Sequence, residues 1–160
     1  MSKNDLSNKV AVVTGGADGI GEGIARIIRG CGAHVIIADI QEEKGKALAA
    51  ELGENVRFSL LDVTDPDSWS NLVTELQTHY GRLDILVNNA GGGGFGNLDQ
   101  LTIEEWRKIM ALNMDSVFLG CKAASALLQA DGVARSLTSL QPTPIARGRC
   151  FLAIAPPRRA

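Results

Sequence analysis

Three glycines and one aspartate carry the first chemical signal in this chain: Gly15, Gly19 and Gly21, followed by Asp39. The glycines punctuate the stretch from Lys9 to Gly30, KVAVVTGGADGIGEGIARIIRG, in which the apolar run Val10 to Val13 stops at Thr14-Gly15-Gly16. Beyond that turn the pattern becomes Ile20, Ile24, Ile27 and Ile28, the spacing of a helix with one apolar face. Gly15 is expected to take the backbone angles of the turn. Gly19 would let a ligand approach the main chain, and Gly21 would remove a side chain where helix meets strand. Free N–H groups at the helix start, together with the positive end of the helix dipole, then form a site for a pyrophosphate. A second apolar run, His34 to Ala38, ends in Asp39, near the distance expected of an acid that binds adenosine ribose hydroxyls. The stretch reads as the phosphate cradle of a dinucleotide cofactor.

The elements that must position these residues follow in a regular order. Gln41 to Leu52 is an amphipathic helix that Gly53 can end, and Val56 to Leu61 is a third strand closing on Asp62-Val63. Asp65-Pro66 opens the next helix, with Trp69, Leu72, Val73 and Leu76 on one face. Leu83 to Val87 is a fourth strand running into Asn88-Asn89-Ala90-Gly91. Alternating strand and helix predicts an α/β fold of the doubly wound, Rossmann type, with a parallel sheet covered on both faces. Gly15, Asp39, Asp62 and Asn89 all fall at strand carboxyl ends, where such sheets bind ligands. Gly92, Gly93, Gly94 and Gly96 then predict a mobile loop beside that rim. Thr102-Ile103-Glu104-Glu105 is a capping box opening a long helix, 103–129, with Trp106, Ile109, Met110, Val117, Phe118 and Cys121 along its apolar stripe. Asn113 interrupts the stripe. Its amide is either solvated or kept for a specific hydrogen bond.

Composition narrows the function classes. The chain has 160 residues, 45% of them apolar, enough for one domain with a real core. No apolar run approaches bilayer length, and Met1 to Asp5 leads into no leader-like segment, so a cytoplasmic protein without a membrane partner is expected. Cys31, Cys121 and Cys150 are odd in number and widely spaced, which points to neither a disulfide framework nor a zinc site. His34 and His79 have no ligand-spaced partners, so no metal is expected. The net charge of −2 hides a split: residues 1–131 hold eleven Lys and Arg against all eighteen acids, whereas 132–160 hold five arginines and no acid. Four of the five prolines are there too. This break predicts a nucleotide-binding domain over 1–131 and an irregular, basic, proline-rich tail over 132–160. Phe151 is the tail's only aromatic residue, so a solvated tail is preferred to a nucleic-acid contact.

Taken together, Thr14-Gly15-x-x-x-Gly19-x-Gly21, Asp39, Asp62-Val63, Asn88-Asn89-Ala90-Gly91 and Leu112-Asn113 resemble the amino-terminal half of a short-chain dehydrogenase/reductase. The resemblance covers about residues 6–130 and is specific because several motifs stand in the right order. It implies that Gly15, Asp18, Gly19, Ile20 and Gly21 surround the cofactor phosphates. Asp62 and Val63 would lie against the adenine, and Asn89, Ala90 and Gly91 would pass the ribose and nicotinamide end. Asn88 would mainly brace the sheet. Asp39 implies NAD, since its carboxylate accepts both ribose hydroxyls and repels a 2′-phosphate, and no Lys or Arg stands at 15–18 or 40 to offset it. The implied activity is hydride transfer between nicotinamide and a small carbonyl or secondary alcohol. Asn113 matches the family's proton-relay asparagine.

The rest of that machinery is missing. Tyr80, the one tyrosine, ends a helix before the fourth strand, and no lysine follows Lys122, so a Tyr-x-x-x-Lys pair cannot be placed. Ser139 stands at a plausible distance for the family's serine, but Ser136 is close by and the stretch is only loosely strand-like; a tail serine without a role is the preferred reading. Two functions follow: an NAD-dependent oxidoreductase by descent, catalytically incomplete in this chain, or a non-catalytic nucleotide-binding or regulatory module joined to another subunit through the helix 103–129. Loss of acids, motifs and periodicity together implies that the family's carboxyl-terminal pattern was replaced, by a frameshift, an alternative ending or a gene-model error. Sequencing the encoding nucleic acid should recover a Tyr-x-x-x-Lys in another frame; an intact reading frame with a genuine stop argues against replacement.

Overall fold

Five consecutive buried residues, Val10–Thr14, form the central strand β1. The computed structural model describes residues 5–93, 99–129, 135–139 and 151–154. Gly94 and Gly96 of the glycine loop and the tail residues Pro142, Pro144, Arg147, Arg149 and Pro156 to Arg159 lie outside those. After β1 come α1 (Gly19–Gly30), β2 (His34–Asp39), α2 (Glu42–Leu52), β3 (Val56–Leu60), α3 (Pro66–His79) and β4 (Ile85–Asn88). Then follow α4 (Ile103–Met110), a π turn (Ala111–Asp115), α5 (Ser116–Gln129), β5 (Arg135–Ser139) and β6 (Phe151–Ile154). The sheet order is β3-β2-β1-β4-β5-β6, parallel throughout except for the antiparallel pair β5–β6. This is the expected doubly wound arrangement.

Alternation along the strands divides the core in two. Val10 and Val12 of β1 join Ile36, Trp69, Leu72, Leu76, Leu86 and Leu127 on the face covered by α3 and α5. Ala11 and Val13 join Ala25, Ile28, Val35, Ile37 and Leu48 on the face covered by α1 and α2. A strand buried on both faces needs apolar residues at every position, which is why β1 and β2 read as unbroken apolar runs. Asp65 caps α3 through Asp67 N at 3.1 Å and Ser68 N at 3.1 Å, and Pro66 occupies the first helical position, where no donor is needed.

Three expectations need correction. Helix α1 buries Gly21, Ala25 and Ile28, while Ile20 and Ile27 are 53% and 69% exposed. The small residues face the sheet because the helix lies close to the glycine turn. The helix 103–129 has the expected span, with a π turn between α4 and α5, but its stripe differs: the inner face of α5 is Ser116, Gly120, Ala124 and Leu127. Phe118 of α5 points the other way and is exposed, as are Met114 of the π turn and Ile103 and Trp106 of α4. A Cβ on Gly120 would come within 2.7 Å of the buried Trp69 ring, so only a small-residue face lets α5 sit this near. Lastly, the tail contributes two strands, and β5 pairs with β4 at Ile85↔Arg135 through Asn88↔Thr138. The tail expected to be irregular thus covers the edge of β4, which satisfies backbone groups that an open edge would expose.

A buried carboxylate fastens the amino-terminal ends of β1 and β4. Asp84 accepts from Val10 N at 2.9 Å, Lys9 Nζ at 2.9 Å, Arg82 Nη2 at 2.6 Å and Arg82 Nε at 3.0 Å, while its own N–H donates to Val10 O at 2.9 Å. Burial pushes this carboxyl up, but the bonds from Arg82, the Val10 amide and Lys9 outweigh it and hold the pKa at about 2. Because the folded value lies below the unfolded one, the contribution is complete above about pH 4 and is lost as pH falls toward 2. We predict that Asp84→Asn costs roughly 2 kcal/mol in urea unfolding at neutral pH and flattens the stability profile between pH 4 and 2. An unchanged acid profile in the variant refutes the assignment.

Candidate functional site

The sheet reverses its winding between β1 and β4, and a cleft opens beyond the carboxyl ends at that point, as expected of this topology. Its volume is about 590 Å³, within the range of small-molecule sites. Gly15, Asp18, Gly19, Ile20, Asp39, Asp62, Val63, Asn89, Ala90 and Gly91 line it, joined by Ile40, Gln41, Leu61 and Leu112, to which the sequence assigned no site role, although Leu112 stood in the Leu112-Asn113 motif. Ile40 and Gln41 directly follow Asp39, and Leu61 directly precedes Asp62, so the signal for three of the four was adjacency to a strand end. Gly21 does not line the cleft but supports its floor. Another concavity, about 420 Å³ between α2 and the outer edge of β3, is lined by the carboxyl-terminal end of α2 and has no helix start.

Sterics explain the glycine spacing. Gly15 and Gly19 have φ of +60° and +59°, a region that side chains disfavour. A Cβ on Gly15 would stand 2.9 Å from Ala90 Cα, and one on Gly21 would stand 1.9 Å from Gly15 O. Gly21 thus lets the helix meet the turn itself. A Cβ on Gly19 would meet nothing within 4 Å, so its bare backbone faces open space. Asp18 caps α1 by accepting from Gly19 N at 2.7 Å. The remaining first-turn N–H groups have no acceptor within the helix and remain for an anion. This open backbone and unspent donors fit a dinucleotide pyrophosphate.

Thr14 closes the cleft floor. Its hydroxyl donates to Val87 O at 3.2 Å and accepts from Asn89 N at 2.9 Å and Ala90 N at 3.0 Å. Asn89 Nδ2 donates to Thr14 O at 2.9 Å and Gly15 O at 3.2 Å. The turn is thus braced by the Asn89 side chain, which is buried at 1% exposure. Among the described residues its buried Oδ1 has no hydrogen-bond partner. Asn88 instead packs beneath α5, with Nδ2 3.7 Å from Cys121 Sγ.

Carboxylates dominate the rim. Asp39 accepts from Ala17 N at 3.0 Å and Gln41 N at 2.9 Å. A carboxylate has about four acceptor positions, so capacity remains for two hydroxyls. Asp62 Oδ1 accepts from Thr64 N at 2.9 Å and Thr64 Oγ1 at 2.7 Å. Asp18 pairs with Lys44 Nζ at 2.6 Å. The bonds from Lys44 and Gly19 hold the Asp18 carboxyl below its ordinary range.

Asn113 occupies the middle of the π turn. Its Nδ2 donates to Gly92 O and Ile109 O, both at 2.8 Å, and its Oδ1 accepts from Gly92 N at 3.2 Å. Of the two alternatives left open, the specific hydrogen bond holds. The π turn gives the helix the extra residue that turns this amide toward the loop after β4. A Cβ on Gly91 would come 2.8 Å from Asn113 Oδ1, so Gly91 is needed for that contact. Tyr80 is elsewhere: its ring packs against His34 at 5.6 Å between centroids, and His34 begins the strand that Asp39 ends. Six strand residues put it about 16 Å from the rim. Burial pushes the Tyr80 phenol up. Ser139 ends β5, one residue past the Asn88↔Thr138 pair, on the same rim as the cleft.

Replacing Asn113 by Ala should leave both polar groups of Gly92 unpaired. We expect a loss of about 1–3 kcal/mol and faster hydrogen exchange at the Gly92 amide. Exchange at wild-type rate in a folded variant rules out this role.

Residues 9–137 match the family model described as short chain dehydrogenase. Over 118 residues the chain is 43% identical to a 3-alpha-(or 20-beta)-hydroxysteroid dehydrogenase of Mycobacterium tuberculosis, covering 74% of this chain and 45% of that relative. It is 39% identical over 129 residues to a 3-beta-hydroxysteroid dehydrogenase of Comamonas testosteroni, covering 81% of this chain and 51% of that one. With trans-4-hydroxycyclohexanecarboxylate dehydrogenase of Sinomonas cyclohexanicum it shares 38% identity over 136 residues, 79% of this chain and 52% of the relative. The chain therefore spans about half the length of the curated relatives it matches. A match running through both walls of the cleft and most of the sheet establishes the kinship: this chain belongs to the short chain dehydrogenase family of oxidoreductases.

Proposed function

We propose that the cleft binds NAD and that this chain descends from oxidoreductases acting on a carbonyl or secondary alcohol, without completing the reaction by itself. The observation that carries the cofactor reading is Asp39: a carboxylate 6% exposed, oriented by two backbone amides, at the end of the strand beside the glycine turn. Such a group accepts from both ribose hydroxyls and repels a 2′-phosphate. In this reading Gly15, Gly19 and Ile20 hold the pyrophosphate, with Gly21 seating the helix against the turn and Asp18 capping the helix behind it. Asp62 and Val63 flank the adenine, and Asn89, Ala90 and Gly91 border the far ribose. When bound, the nicotinamide supplies the hydride chemistry. Asn113 holds the backbone of Gly92 at that end and is the chain's relay residue in this reading.

What this chain lacks is a group to move the proton. Tyr80 is at the other end of the sheet, and no lysine stands beyond Lys122. A second reading, a nucleotide-binding module that works on a partner subunit, is favoured by the exposed apolar side of α4, the π turn and α5: Ile103, Trp106, Met114 and Phe118. Singly exposed apolar residues are ordinary, but a set of them along one helical side is a candidate interface. We expect NADH fluorescence to report saturable binding, weakened at least tenfold by Asp39→Ala, with no alcohol oxidation under the same conditions. Absence of NADH binding refutes the cofactor assignment. Turnover by the purified chain refutes the incompleteness.

A further inference from the structure

We propose that Lys44 is a specificity-determining residue that relaxes the cleft's exclusion of 2′-phosphorylated dinucleotides, an inference that rests on the NAD reading above. Asp18, Asp39 and Asp62 line a cleft that has to accept an anion. Three carboxylates around such a ligand are a cost unless some charge offsets them. Lys44, the third residue of α2, brings an ammonium to this rim. It crosses from α2 to the residue that caps α1, meeting Asp18 Oδ2 at 2.6 Å. Asp18 follows Ala17, whose N–H donates to Asp39 Oδ2 at 3.0 Å, and Gln41 N donates to Asp39 Oδ1 at 2.9 Å. Lys44 therefore belongs to the same three-way junction, of turn, strand end and helix start, that holds the ribose-binding carboxylate. The Lys44 pKa is raised, chiefly by its bond and attraction to Asp18, with a smaller contribution from the charge on Asp39.

The consequence concerns the two cofactor forms differently. A ribose 2′-hydroxyl needs an acceptor, which Asp39 supplies, and gains little from a nearby cation. A 2′-phosphate is repelled by Asp39 but attracted by an ammonium with three donors and a flexible stem, of which Asp18 engages part. Lys44 is 57% exposed, free to turn from Asp18 toward a phosphate oxygen. No cation at 15–18 or 40 signals this in the sequence, because Lys44 reaches the site across the gap between α1 and α2.

Fluorescence titration of the whole chain with NADH and with NADPH tests the proposal. For Lys44→Gln we expect NADPH affinity to fall about fivefold, the worth of one partly exposed ion pair, with NADH changed less than about twofold. Asp18→Asn, which releases Lys44, should tighten NADPH relative to NADH, and Lys44→Arg should restore NADPH binding to Lys44→Gln. Equal weakening of both nucleotides by Lys44→Gln reduces Lys44 to a strut between helix and turn and overturns the proposal, as does no change in either. Wild-type chain that binds NADH but shows no NADPH binding at any concentration overturns this inference alone. Wild-type chain that binds neither overturns the cofactor reading as well.

Discussion

The cleft depends on one steric constraint: two backbone turns leaving adjacent parallel strands must come close enough to touch. The turn after β1 and the turn after β4 meet at Gly15 and Ala90, where even one methyl group would stand 2.9 Å from the opposite backbone. Helix α1 joins the same junction, since Gly21 lies directly against Gly15 O. Strands spaced less than 5 Å apart leave no room for side chains between the turns that continue them. Backbone polar groups crowded there need partners, and Thr14 and Asn89 provide them from within the junction. A wall built this way presents main-chain donors rather than side chains to a ligand.

The same economy of side chains recurs on the other face of the sheet. Gly120 sits against Trp69 and Asn88, and Ser116 and Ala124 continue that side of α5. Close packing by small residues brings α5 near β4 and carries the π turn to the cleft, where Asn113 reaches Gly92. Phe118 is consequently left outside, with Met114 of the π turn, while Leu127 stays in the core. The apolar surface of this helix is therefore shared between core and exterior.

Charge is organised by the ends of the strands. At the amino-terminal end Asp84 gathers Lys9 and Arg82 and is fully committed to the fold. At the carboxyl end, among the described residues, Asp39 and Asp62 bond backbone or hydroxyl groups only, and Asp18 bonds the Gly19 amide and one exposed lysine. One end is closed and the other retains acceptor capacity. That asymmetry agrees with ligands binding beyond the carboxyl ends of parallel strands.

Much was legible in the chain itself. Strand, turn and helix order follow from apolar periodicity and from glycine, aspartate and proline at element ends, because those preferences act over a few residues. Most residues lining the cleft were legible for the same reason, since they lie at a strand end or in the glycine turn and helix start that follow one. Sequence alone also determined that a Tyr-x-x-x-Lys pair is missing. Only the folded structure decided which face of α1 and α5 turns inward, that the Asn89 side chain braces the turn, that the helix after Thr102 contains a π turn, and that β5 covers β4. It alone brought Lys44 to Asp18 and Asn113 to Gly92. Each of these rests on contacts between residues distant in the chain, whose close approach is set by how the layers pack and leaves no periodic trace.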